Sequence, residues 1–171
     1  MYQPSLSFFR SVVHPGLRRI EAKSIKNSST PATVYRLWLE AGGEKAPRSL
    51  IVKRIDPNWP EDPLGHEREM RFYAYLLPKL DIPQPRVYYA GEEPGTGQHL
   101  VIMEDLSRSH YFPQPAHIWK QAEIEQILRT YARLHAAGEL ALSVEKDLDW
   151  LFHRHEKRLQ KTAGDLPAMV A

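Results

Sequence analysis

Leu50-Ile51-Val52-Lys53 and, beyond a proline-bearing loop, His66-Glu67-Arg68-Glu69-Met70-Arg71-Phe72-Tyr73 are the stretches from which the architecture is read. Ser49 to Ile55 is a near-continuous apolar run, which predicts a strand buried on both faces. Lys53 interrupts it. An unpaired ammonium in such a strand costs several kcal/mol. Lys53 therefore either snorkels to water or meets an anion. Leu64 to Leu77 predicts a helix, stopped by Pro78. It carries two carboxylates, Glu67 and Glu69. At about 100° per residue, Glu69 falls near the middle of the stripe formed by Met70, Phe72, Tyr73, Leu76 and Leu77. Glu67 points about 160° away from Glu69, toward solvent. An inward lysine and an inward carboxylate are each costly alone and tolerable as a pair. The alternative is that both are rim charges at element ends.

Outward from these stretches the chain reads as short strands, then helices. Ile20, Ala22 and Ser24 alternate with Glu21, Lys23 and Ile25, a first strand. Thr33 to Glu40 is rich in β-branched and aromatic residues, a second strand. Polar turns at Asn27 to Pro31 and Ala41 to Lys45 join these to the Ser49–Ile55 strand as an antiparallel meander. Arg86 to Ala90 and His99 to Met103 supply two more strands. Prolines at 83 and 85 keep the connector before them extended. A helix is expected over Ile118 to Ala137, with Gly138 as its terminator. Ser143 is expected to cap a second helix whose apolar stripe is Val144, Leu148, Leu151, Phe152 and Leu159. Ser5 to Val13 reads as a short helix. The expectation is an α+β chain: a five-stranded antiparallel sheet with one packed helix, followed by two C-terminal helices. It divides into an N-terminal extension (1–18), a sheet-bearing lobe (19–106), and a linker with further helices (107–171).

Composition narrows the function classes. The chain has 171 residues, 42% hydrophobic and 26% charged, which excludes wholesale disorder. With no cysteine there is no disulfide scaffold and no cysteine-ligated metal centre. A net charge of +2 does not argue for nucleic acid. No apolar run approaches a bilayer span and the N-terminus does not read as a signal peptide, so a cytoplasmic protein without membrane or nucleic-acid partners is expected.

Lys53 and Glu69 in this order resemble the N-terminal lobe of an aminoglycoside-phosphotransferase-like kinase. That superfamily includes choline, homoserine and ecdysteroid kinases and shares its fold with protein kinases. Four matches carry the resemblance, in family order. Leu50-Ile51-Val52-Lys53 is similar to the strand whose lysine contacts the α- and β-phosphates of ATP. His66 to Tyr73 resembles the family helix and makes Glu69 the partner of that lysine. Ile82-Pro83-Gln84-Pro85-Arg86-Val87 resembles the family's approach to the fourth strand. Leu100-Val101-Ile102-Met103-Glu104-Asp105-Leu106 resembles its hinge. A fainter likeness, Ala132-Arg133-Leu134-His135-Ala136, follows. The resemblance covers residues 20–138.

It implies that ATP, with magnesium, is the cofactor. Ser28, Ser29 and Thr30, in the turn between the first two strands, would cover the phosphates, although the turn lacks glycine. Val34 and Ile51 would line the adenine slot with Met103 behind it. Glu104 C=O and Leu106 N–H would read the adenine edge. The implied reaction moves the γ-phosphate to a hydroxyl of a metabolite or antibiotic. The family's H-G-D-x-x-x-x-N loop is not matched. Ala163-Gly164-Asp165-Leu166 has alanine in place of the histidine and Val170 in place of the metal-binding asparagine. His153 and His155 diverge by about 200° on a helix and cannot chelate one metal. No catalytic residue is therefore expected within the chain, and the base and magnesium ligands are expected outside it. The chain reads as a truncated, inactive portion of the enzyme. The alternative is a non-catalytic nucleotide- or partner-binding module, which could dimerise through its exposed lobe face.

Overall fold

The computed structural model describes residues 2–25, 32–43, 45–55, 63–110 and 117–144. Its centre is one open, five-stranded antiparallel sheet in the order β1-β2-β3-β5-β4. The strands are β1 (Leu17–Ile25), β2 (Ala32–Ala41), β3 (Ser49–Ile55), β4 (Val87–Glu92) and β5 (His99–Glu104). Three α-helices accompany them: α1 (Leu6–Val12), α2 (Pro63–Arg71) and α3 (Gln121–Val144). This is the expected α+β arrangement, a kinase-like N-lobe sheet with its helix.

The first three strands form the expected meander, with Val34 opposite Lys53 and Leu37 opposite Leu50. The last two exchange order: β5 lies between β3 and β4. The reason is apolar content. Leu100, Val101 and Ile102 are buried on both faces, so β5 must be covered by strands on both edges. β4 contains Tyr88, Tyr89 and Gly91, stays half-buried, and takes the edge.

Strand alternation gives the sheet two faces. On the outer face Leu37, Leu50, Val52, Leu100 and Ile102 are fully buried beneath Tyr2 and Phe9. Phe9 is delivered by α1, whose first turn is capped by Ser5 Oγ accepting from Phe8 N–H at 3.4 Å. Phe8 also packs edge-on against Tyr89, with ring centroids 5.0 Å apart. Residues read from the sequence as an extension thus cover the sheet, and β1 starts earlier than read, at the buried Leu17. The turn into β1 needs glycine at 16: a Cβ there would stand 2.5 Å from Gly42 O.

A polar network closes one end of this outer face. Tyr2 donates its hydroxyl to Glu93 at 2.9 Å, and Arg54 Nε donates to the same carboxylate at 2.8 Å. Thr96 Oγ1 donates to it as well, at 2.8 Å. Glu93 is 8% exposed, and three donors offset the cost of burying its charge. Burial, and then the neighbouring Glu93 charge, hold the Tyr2 hydroxyl well above its ordinary pKa.

Two helices differ from the sequence expectation. The helix expected to run unchanged to Leu77 is α-helical only to Arg71. Phe72–Leu76 is a wider π-helical turn, in which Leu77 N–H donates to Phe72 O. A 3₁₀ turn at Leu77–Lys79 follows, and Pro78 sits inside it rather than beyond the end. Gln84 takes up the exposed carbonyls, donating to Leu77 O at 3.1 Å and to Leu80 O at 3.3 Å. Leu76, Leu77 and Leu80 form a second small core, against which Leu134 and Ala137 of α3 pack.

The other correction is α3, which runs through Gly138 and Ser143 to Val144. An interior glycine costs only about 1 kcal/mol, and strong helix formers from Ala136 to Leu142 flank it. Gly138 therefore terminates nothing, and Ser143 is not a cap. The remainder of the second expected helix lies outside the described residues, as do His153, His155 and Asp165. Of the apolar residues that helical spacing puts on one face of α3 (Ile124, Ile127, Leu128, Tyr131 and Leu134), Leu134 packs on the second core, while Ile124, Leu128 and Tyr131 are 44%, 61% and 58% exposed. No helix among the described residues is long and apolar enough to cross a membrane.

Candidate functional site

The inner face of the sheet carries Lys53 and Arg36. Opposite pairing puts Val34, Lys53 and Val101 side by side on it, and likewise Arg36, Ile51 and Met103. α2 packs against β4 and β5 on this side. Lys53 Nζ donates to both carboxylate oxygens of Glu69, each at 2.6 Å. The two side chains are 27% and 30% exposed, so the pair is neither sealed in the core nor fully screened by water. Glu67 turns away, as helical spacing requires, and pairs with Arg71 on its own helix at 2.6 Å. The reading of Lys53 and Glu69 as two separate rim charges is thereby excluded. Tyr73, one turn beyond Glu69, is held above its ordinary pKa by burial and then by the Glu69 charge.

Along the same face, beside Ile51, lies an open cleft of about 390 Å³. Its walls are Arg36, Ile51, Pro85, Met103 and the connection Glu104-Asp105-Leu106-Ser107. The volume falls in the range of ordinary small-ligand sites. Lys53 is not on its wall but stands two residues beyond Ile51 on the same face of β3. The connection after β5 is well anchored. Glu104 N–H donates to Arg86 O at 2.8 Å, and Glu104 Oε2 accepts from Arg86 N–H at 3.2 Å. Leu106 opens a 3₁₀ turn (Leu106–Arg108), so no intrahelical carbonyl takes its N–H.

Asp105 is the cap of that turn, its Oδ1 accepting from Ser107 N–H at 3.1 Å. Its side chain is only 3% exposed, and Oδ2 lies 3.0 Å from Arg36 Nε. That contact is one of charge on charge: Arg36 Nε has no well-directed hydrogen bond among the described residues. Burial alone would raise the Asp105 carboxyl. Hydrogen bonds from Ser107 and Ser49, followed by the Arg36 charge, outweigh it and hold the group below its ordinary value.

Of the residues singled out from the sequence, Lys53 and Glu69 meet, and Ile51, Met103, Glu104 and Leu106 line one cleft. Val34 lies directly across from Lys53. Ser28, Ser29 and Thr30 lie outside the described residues. Sequence reasoning did not single out Arg36 or Ser107, and it read Pro85 and Asp105 only as parts of motifs, without a role at the site. Arg36 did leave a trace: it is a cation inside an otherwise apolar strand, the same oddity that drew attention to Lys53.

The described sheet order, the helix behind it and the lysine–carboxylate pair define a kinase-like N-lobe. The family model of the ecdysteroid kinase-like family matches residues 32–162, and the chain belongs to that family, within the protein kinase-like superfamily. No curated protein and no solved structure matches the chain.

Proposed function

We propose that this chain holds ATP for a small-molecule phosphotransferase. The observation that carries the proposal is the two-oxygen contact between Lys53 and Glu69, on the same sheet face as the cleft. Glu69 fixes the ammonium group, and Lys53 places its charge on the α- and β-phosphates. Ile51, Val34 and Met103 enclose the adenine ring, while Glu104 C=O and Leu106 N–H pair with its edge. Ser28, Ser29 and Thr30 close over the phosphates with hydroxyl and backbone donors. Residues 19–106 act as the nucleotide lobe and 107–171 as the start of the lobe that meets the acceptor hydroxyl. ATP supplies the phosphoryl group, and the described residues bind and orient it.

Among the described residues no three His, Cys, Asp or Glu side chains converge as metal ligands. No magnesium ligand is assigned among these residues, and no step is routed through a metal. The carboxylate that takes the acceptor's proton is likewise not among the groups at this site.

Displacement of a fluorescent ATP analogue by ATP tests the reading. ATP should compete in the wild-type chain and compete poorly in Lys53→Ala. Equal competition in both would sink the proposal.

A further inference from the structure

Four residues converge beside the cleft, of which only Asp105 falls within a quoted motif: Arg36 on β2, Ser49 at the start of β3, and Asp105 and Ser107 after β5. They come from three separated parts of the chain and share one carboxylate. A carboxylate capping a surface turn would satisfy Ser107 N–H without being desolvated. Here the carboxylate is 3% exposed, and the Arg36 charge from β2 and Ser49 from the start of β3 stand against it in addition to the turn. Burying a charge is costly unless it is fully paired, so this arrangement has one favourable geometry rather than many. On its other side the same connection is clamped by the backbone of Arg86. Glu104 and Leu106 flank Asp105 directly, so the position of their backbone groups follows the position of its carboxylate.

We propose that Asp105 is a positioning residue for the nucleotide base: it locks the connection after β5 to β2 and β3, sets Glu104 C=O and Leu106 N–H along the cleft, and holds Arg36 back against the wall. It does not touch the nucleotide. The inference rests on the nucleotide reading above and deepens it. Without the Asp105 charge, Arg36 becomes an unpaired cation on the wall of the slot, its side chain already 35% exposed there. The base half of the site is then disordered, while the phosphate half, built on Lys53 and Glu69, is left intact.

The test separates those halves with two competitors on the full chain. ATP engages base and phosphate contacts, whereas inorganic tripolyphosphate engages only the phosphate contacts. Asp105→Asn should weaken ATP about tenfold, the equivalent of one lost buried hydrogen bond, and leave tripolyphosphate unchanged. Lys53→Ala should weaken both. Arg36→Gln, which keeps the hydrogen bonds of Asp105 to Ser107 and Ser49, should weaken ATP in the same direction by about threefold, again without moving tripolyphosphate. It keeps the proposal testable if Asp105→Asn does not fold. The proposal is overturned if both folded variants bind ATP as the wild type does. It is equally overturned if they weaken tripolyphosphate by the same factor as ATP, since that pattern marks general destabilisation. If neither competitor displaces the probe from wild-type chain, the nucleotide reading falls and takes this inference with it. If ATP binds and is insensitive to Asp105 and Arg36, only the inference falls.

Discussion

The two faces of one sheet solve opposite problems. Beneath α1 the outer face is closed: Phe9, Leu37, Leu50, Val52, Leu100 and Ile102 are fully buried, and its charges, Arg54 and Glu93, are paired with each other. On the inner face Ile55 and Val101 are also fully buried, but Val34, Ile51 and Met103 are half-buried, and this face carries Lys53 and Arg36. Those cations are held by Glu69 and Asp105, which arrive from other elements. One face accumulates burial energy, and the other uses it to keep charged groups where water and a ligand can reach them. The strands are common to both, so stability and binding should respond to different substitutions only one residue apart.

The largest expected effect is on the closed face. Leu50→Ala should lower unfolding free energy by about 3 kcal/mol, from lost burial and the cavity left behind. Chemical denaturation measures it, and a loss under about 1 kcal/mol would mean that α1 does not seal this face. Lys53→Ala, three residues on and on the opposite face, should cost about 2 kcal/mol in ATP binding, the value of a charge-assisted contact. Its effect on stability should stay below about 1 kcal/mol, because the pair is partly exposed. A stability loss as large as that of Leu50→Ala would erase the distinction between the faces.

Tyr2→Phe removes one of three donors from the buried Glu93 and should destabilise by about 1.5 kcal/mol without changing nucleotide affinity. A shift in the urea midpoint reads the first, and probe displacement reads the second. The smallest effect is that of pH on Asp105. Its folded pKa is held below the ordinary 3.8, so its contribution is present above that value and lost as pH falls through the folded one. The groups facing it are Arg36, Ser49 and Ser107. Asp105→Asn should therefore flatten the acid limb of a stability profile below about pH 4. A variant whose acid limb parallels the wild type would show that other carboxylates dominate there.

Much of the inner face is legible from residue spacing. Period-two alternation and apolar runs mark all five strands, and 100° steps distinguish Glu69 from Glu67. Asp105 and Arg36 are not legible in the same way. Sixty-nine positions separate them; Arg36 alone reads only as a cation within a strand, and Asp105 only as part of the stretch after one. The π-helical turn at Phe72–Leu76 was hidden for a related reason: the side chains fit an α-helical stripe, and the widening becomes visible only where Leu76 and Leu77 meet α3. Gly138 misled because a residue that often ends helices is also tolerated within one when its neighbours favour the helix.

Local periodicity by itself determined which segments are strands, that Lys53 must either reach water or meet an anion, and that Glu69 is the carboxylate on the core-facing side of its helix. Those facts depend on repeats of two and 3.6 residues, which a chain carries in its own order. Tertiary structure alone decided that β5 enters the sheet before β4, that α1 seals the outer face, and that Arg36, Ser49 and Asp105 share one buried site. These depend on which surfaces remain to be covered once the strands have formed. That is set by long-range burial and by the cost of leaving a charge unpaired, not by the spacing of neighbours along the chain.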